Sequence, residues 1–183
     1  DCTGNIAIVH NGIVENYGAL KELLQKEGHK IVSDTDSEII AHLIEKFHRS
    51  SGLEQATTEA LKLIEGAYAL AILEKNSDML VAARKSSPLV LGIGKGENFI
   101  SSDVAAVVKE TKRIIYLDDN EIAVLTGQGY SVKNLNGQLV DKKISEVALS
   151  IGEIEKKGFK HFMLKEIFEQ PEAIKNTMRG RIK

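Results

Sequence analysis

Three groups of residues in this sequence carry side chains suited to chemistry: Cys2, the step His10-Asn11-Gly12, and the acidic set Asp34, Asp36 and Glu38. Asn11 offers a side-chain amide and Gly12 a main-chain N–H. Held at a strand end, the two can converge on the oxygen of a tetrahedral intermediate. Glycine there also lets the main chain come close to a substrate. The same Asn-Gly pair is a strong hairpin signal, because both residues tolerate positive φ. Pattern alone leaves the turn and the oxyanion site both open. His10 has the chemistry of a base, but at the end of an apolar strand it reads as a structural residue.

The acidic set falls where a helix begins, so its plainest roles are capping and complementing the helix dipole. A carboxylate in that position can also hold a substrate ammonium group, and spacing does not choose between these. No metal site is expected: neither a cysteine nor a His-x-x-x-His pair lies nearby in the sequence. Cys2 is the single cysteine and would be a nucleophile by its chemistry. The strand from Asn5 to His10, however, spans about 20 Å when extended, which separates this thiol from the Asn11 amide. Cys2 is therefore expected to be a bystander leading into the strand.

The remaining motifs have structural explanations. Gly92-Ile93-Gly94-Lys95-Gly96 lacks the Lys-Ser/Thr ending and the following helix of a phosphate loop, and reads as a hairpin turn. No Gly-x-Ser-x-Gly elbow accompanies the serines and histidines. Lys156-Lys157 and Arg179-x-Arg181 have no interleaved aromatics and read as solvated charge, without nucleic acid as a partner.

The elements that must position these groups follow from periodicity. A buried strand is expected from Asn5 to His10 and a helix from Asn16 to Glu27, with Leu20, Leu23 and Leu24 on one face and Gly28 as its stop. A short strand from Lys30 to Val32 precedes the capping box Thr35-x-x-Glu38. That box opens a helix through about Phe47, with Ile39, Ile40, Leu43 and Ile44 in its apolar stripe. Another helix runs from about Leu53 to Ile64 and ends at Gly66. The period then changes to that of strands at 67–73, 79–83, 89–93, 99–101, 113–117, 121–125 and 130–135, with a short helix at 103–110. The tail from Lys160 is expected to be helical and broken or kinked at Pro171. Helices stacked beside antiparallel strands predict a layered α+β fold.

Composition narrows the classes. The chain has 183 residues, 24 basic and 26 acidic, so its net charge of −2 creates no global field toward nucleic acid or anionic membrane. At 43% apolar and 27% charged it falls among globular proteins, and it contains no run of 18 apolar residues. One cysteine excludes an internal disulfide framework and fits a reducing, cytoplasmic setting. The opening Asp1-Cys2-Thr3-Gly4, without an initiator Met, reads as processed or cut from a longer chain. Residues 1–150 are expected to form the folded domain, and 151–183 exit helices and a linker toward a second domain.

Several ordered stretches resemble class II glutamine amidotransferases: Ile8 to Asn16, Ser33 to Glu38, and Gly66-Ala67-Tyr68-Ala69. Ser87-Pro88-Leu89, Gly96 to Asp103, His161 to Pro171 and Ile174-Lys175-Asn176-Thr177 narrow the resemblance to the glutaminase domains of the glucosamine-6-phosphate synthase family. It implies a four-layer αββα N-terminal-nucleophile fold, incomplete here at the N-terminus, and no cofactor. It also implies a reaction in which an N-terminal cysteine attacks the glutamine amide. Ammonia then passes to a sugar-isomerase domain that converts fructose 6-phosphate into glucosamine 6-phosphate. Carried onto matching positions, the Asn11 side chain and the Gly12 N–H form the oxyanion hole, Asp36 binds the glutamine ammonium, and His10 supports. The family's Cys-Gly-Ile-x-Gly start and its arginine- and histidine-bearing segment have no match here, so this chain alone is expected to be inactive. A homodimer is implied for the full-length form. Two alternatives are another class II amidotransferase and a non-catalytic module that senses glutamine or docks a partner.

Overall fold

The computed structural model describes residues 1–147 and 158–178. The chain divides into two units, Asp1–Val147 and Ala148–Lys183. In the first unit, strand β1 (Ile6–Val14) is followed by helices α1 (Tyr17–Lys26), α2 (Asp36–His48) and α3 (Leu53–Leu61). Strands β2 (Gly66–Glu74), β3 (Leu80–Lys85), β4 (Val90–Ile93) and β5 (Asn98–Ser101) come next. A single turn of helix α4 (Val104–Val107) then leads to β6 (Arg113–Tyr116), β7 (Glu121–Thr126), β8 (Gly129–Asn134) and β9 (Ser145–Glu146).

Two antiparallel sheets result, with strand orders β1-β2-β3-β7-β8 and β5-β4-β6-β9. The chain leaves the first sheet after β3, builds most of the second, and returns with β7. Alternation along the strands explains why the sheets stack. Tyr68, Leu70, Ile72, Val81 and Ala83 pack with the helices. Their neighbours Ala69 and Ala82, with Ala123 and Leu125, meet Leu91 and Ile115 of the second sheet. Small side chains on this inner face let the sheets approach. On the outer face of the second sheet, Val90 and Ile114 pack with Val107 at the end of α4. The order is thus helices, sheet, sheet, helix: the expected αββα layering, its last layer represented by α4 among the described residues.

Most elements fall where the periodicity put them. The helix layer is anchored by its core face: Ile39, Ile40, Leu43 and Ile44 of α2 are all fully buried, each contributing roughly 1.5–3 kcal/mol relative to exposure. Gly94 donates to the Glu97 carbonyl at 3.0 Å between the paired β4 and β5, so the Gly92–Gly96 stretch is the expected hairpin turn.

Some expectations change. Lys30–Val32 is not a strand, because the Lys30 N–H points to the Cys2 sulfur and the Val32 N–H to the Glu38 carboxylate instead of to a neighbouring strand. Gly66 does not stop a helix; it opens β2 at φ +115°. The helix at 103–110 contracts to α4, capped by the Asp103 side chain on the Ala105 N–H. β9, a two-residue strand beside β6, has too short a signal to predict. In the second unit, helix α5 (Phe162–Met178) continues through Pro171, and Phe159 stacks on Phe168 with ring centroids 5.5 Å apart. The start of the lysine-rich tail, Lys156-Lys157, Arg179 and Arg181 lie outside the described residues. No helix among those described is long and apolar enough to cross a membrane.

Candidate active site

His10-Asn11-Gly12 does not turn. β1 runs through all three to Val14, paired with β2 from Ile6 opposite Glu74 to Val14 opposite Gly66. Two glycines make this possible. Gly12 sits at φ +151°, and a Cβ there would collide with the Ala67 carbonyl oxygen and lie 2.9 Å from the Tyr68 Cα. A Cβ on Gly66 would collide with the Ile13 carbonyl oxygen. Only chain without side chains fits at this end of the ladder, which allows the strand to continue where the dipeptide by itself favours a hairpin.

Strand alternation then sorts the candidate groups. Ile6, Ile8, His10 and Val14 point toward the helices, whereas Ala7, Val9, Asn11 and Ile13 lie on the face shared with the inter-sheet core. β1 is an edge strand of its sheet, and this face of it is open. Val9 is 73% exposed and Ile13 68%, and Asn11 between them is exposed. His10 and Asn11 therefore face opposite sides of the sheet, so His10 cannot act on a group held at the Asn11 amide. Its Nδ1 lies 3.1 Å from the Ser37 hydroxyl and 3.6 Å from Asp36 Oδ1, and the side chain is buried.

Asp36, the first residue of α2, accepts from the Val14 N–H at 2.9 Å through Oδ2. The helix start is thereby tied to β1 two residues beyond Gly12, with the other carboxylate oxygen directed toward His10. Asn11, Gly12 and the point where the Asp36 carboxylate is anchored thus lie within four residues of strand.

The helix start is itself braced. Thr35 caps α2 by accepting from the Glu38 N–H at 3.4 Å, as the capping box predicts. The reciprocal arm differs: Glu38 accepts from the Val32 N–H at 2.8 Å, the Ser33 N–H at 2.6 Å and the Ser33 hydroxyl at 2.6 Å. Burial pushes the Glu38 carboxyl up, but Ser33, the Val32 N–H and His42 outweigh it and bring it down to about 2. Asp34 plays a lesser part, exposed and paired with Lys21 at 3.2 Å.

A second group gathers one helical turn and more along α2. Cys2 Sγ lies 3.6 Å from His42 Nδ1 and 3.9 Å from His29 Nδ1, and the Cys2 N–H donates to Glu45 Oε2 at 3.0 Å. His29, His42 and Glu45 are buried. Burial lowers the His29 pKa against the pull of Glu45. Burial raises Glu45, but the Cys2 N–H and the two histidines hold it below the ordinary carboxylate range. The expectation that no cysteine lies near this helix is corrected: folding brings Cys2 to α2 across 40 residues of sequence. Periodicity carried no sign of it, although His42-x-x-Glu45 places two donors on one helix face.

The glutamine amidotransferase domain profile matches residues 1–109 of this chain. The glutamine–fructose-6-phosphate aminotransferase (isomerizing) of Chlorobaculum tepidum is 48% identical over 99% of this chain, and that of Thermococcus kodakarensis 50% over 98%. The chain spans about 30% of the length of each. In fold, it superposes on the glutamine phosphoribosylpyrophosphate amidotransferase of B. subtilis with a TM-score of 0.62 and 23% identity, over 76% of this chain and 31% of that one. A regulatory enzyme of purine biosynthesis gives 0.57 at 26% identity, over 71% and 28%. With a profile match over more than half its length, the chain belongs to the glutamine amidotransferase domain family.

Proposed function

We propose that this chain is the glutamine-handling part of a glutamine–fructose-6-phosphate aminotransferase. In this reading residues 1–150 hydrolyse glutamine to glutamate within the full-length protein. Residues 151–183 lead to a sugar-isomerase domain, where the ammonia converts fructose 6-phosphate into glucosamine 6-phosphate. The full-length protein works as a cytoplasmic homodimer. The observation that carries the reading is the anchoring of Asp36 to the Val14 N–H, two residues beyond Asn11-Gly12 along the open edge of β1.

The amide carbon of glutamine is attacked by a thiolate, and negative charge develops on its oxygen. The Asn11 amide and the Gly12 N–H donate to that oxygen, and strand pairing holds both in place beforehand. Asp36 accepts from the α-ammonium, a charge-assisted contact that fixes the substrate's other end. His10 is a positioning residue that steadies Asp36 and Ser37. Cys2 is not the attacking thiol. It is held against Glu45, nine residues or about 13 Å along α2 from Asp36, while Asn11 stands at the opposite end of β1. The 183-residue chain, whose only cysteine this is, therefore does not turn glutamine over.

Glutamate release measured on the full-length protein tests the reading. Asn11→Ala is expected to lower kcat about 100- to 1,000-fold with little change in KM, and Asp36→Ala to raise KM for glutamine. Turnover by the 183-residue chain that is lost in Cys2→Ala would overturn the assignment of the nucleophile. Unchanged kcat in Asn11→Ala would overturn that of the oxyanion hole.

A further inference from the structure

Cys2 Sγ, His29 Nδ1, His42 Nδ1 and one Glu45 carboxylate oxygen all lie within 4.8 Å of one another. These four donors come from three segments: the N-terminal residues, the turn after α1, and α2. We propose that they form a tetrahedral site for a divalent transition-metal ion, with Zn2+ as the fitting ion, which staples residue 2 and His29 to the middle of α2.

The spacing is the first argument. Zinc bonds of about 2.0–2.3 Å place tetrahedral donors about 3.3–3.8 Å apart. The separations here are 3.6 and 3.9 Å from sulfur to His42 and His29, 3.2 Å between the two Nδ1 atoms, and 3.1 and 3.2 Å from these to Glu45 Oε2. Shifts of a few tenths of an ångström bring these five pairs into range, and the sixth, sulfur to the Glu45 oxygen, lies within 4.8 Å and closes as the donors draw toward a common centre.

The second argument concerns lone pairs. His42 Nε2 faces Glu38 Oε1 at 3.5 Å, so with the proton on Nε2 that carboxylate accepts from it and Nδ1 can present its lone pair to an ion. A carboxylate behind a histidine is the arrangement that orients imidazole ligands at metal sites. The Lys30 N–H donates to Cys2 Sγ at 3.3 Å and so orients the sulfur toward the cluster. Glu45 Oε1 is buried without a hydrogen-bond partner among the described residues, leaving it free to join the ion or a bound water.

Charge and access also fit. Thiolate and carboxylate together balance a divalent cation, with two neutral imidazoles, and binding releases the thiol proton. The donor set of sulfur, two nitrogens and oxygen suits Zn2+ over Mg2+ or Ca2+, which prefer oxygen. Three ligands are buried and the cysteine is exposed, so an ion can enter from the solvent side. The site is separate from Asn11 and Asp36 and does not rest on the function proposed for them. A purely hydrogen-bonded thiol–imidazole–carboxylate cluster is the competing arrangement.

Cobalt titration of the metal-stripped 183-residue chain, in a non-thiol reductant, separates the two. One equivalent of Co2+ is expected to bind with intense visible bands of tetrahedral geometry and a sulfur-to-cobalt charge-transfer band, and Zn2+ to displace it. Cys2→Ser, checked for folding by circular dichroism, is expected to lose the charge-transfer band. Glu38→Gln is expected to keep that band while weakening Co2+ affinity about 10- to 100-fold. Absence of binding, weak six-coordinate bands, or a charge-transfer band that survives in Cys2→Ser would overturn the proposal.

Discussion

Gly12 and Gly18 are both glycines near the start of the chain, yet their surroundings give opposite expectations. At Gly12 the backbone has φ +151° and an added Cβ meets the Ala67 carbonyl. Gly12→Ala is therefore expected to destabilise the fold by about 1–3 kcal/mol from backbone strain, with the collision adding to it. Gly18 lies in α1 with nothing within 4 Å of an added Cβ. Gly18→Ala is expected to stabilise by about 0.5–1 kcal/mol through helix propensity. Urea unfolding of the two variants checks both signs. Equal midpoints would show that the β1–β2 pairing yields at Gly12. The same attention to surroundings separates His10 from Asn11: adjacent in sequence, they point to opposite faces, so one serves Asp36 and the other is available to a substrate.

The start of α2 is where element-scale forces meet. It is capped by Thr35, tied to β1 through Asp36, and braced by Glu38 on the segment before it. The Glu38 brace depends on charge, and its pH dependence has a definite sign. A carboxyl held at about 2 in the fold against an ordinary value of 4.5 binds fewer protons folded than unfolded. Its contribution is fully present above pH 4.5 and is lost as pH falls toward 2. Glu38→Gln is expected to be less stable than the parent chain at neutral pH. The gap should close progressively between pH 4.5 and 2, as followed by denaturant midpoints across that range. A gap independent of pH would assign the brace to packing or neutral hydrogen bonding. The capping box was legible in Thr35-x-x-Glu38, but the pattern says that Glu38 reaches back to the cap. Ser33 and Val32 take that carboxylate because the turn before the helix presents two N–H groups and a hydroxyl to it.

At the scale of the whole molecule, all three apolar clusters among the described residues are built from residues of the first unit. A chain ending at Val147 is therefore expected to unfold in one cooperative transition of its own. Differential scanning calorimetry checks this, and a broad, non-cooperative trace would overturn it. The open face of β1, with Val9 and Ile13 exposed, is a gap in the layering among the described residues. It lies beside Asn11, where the proposed chemistry requires access.

The sequence by itself determined the layers and the members of the candidate site. Period-2 strands with small inner residues, the buried stripe of α2, the Thr35 cap and the hairpin at Gly94 are local signals, and each survives in the structure. The family resemblance singled out Asn11, Gly12 and Asp36. Tertiary structure decided what long-range contact alone can decide. It converted a probable-looking turn at Asn11-Gly12 into continuous strand, because β2 supplies a partner whose backbone only glycine can approach. It also carried Cys2 to His29, His42 and Glu45, a grouping that no spacing encodes, since its members are 27 to 43 residues from the cysteine and meet only when the start of β1 packs along α2.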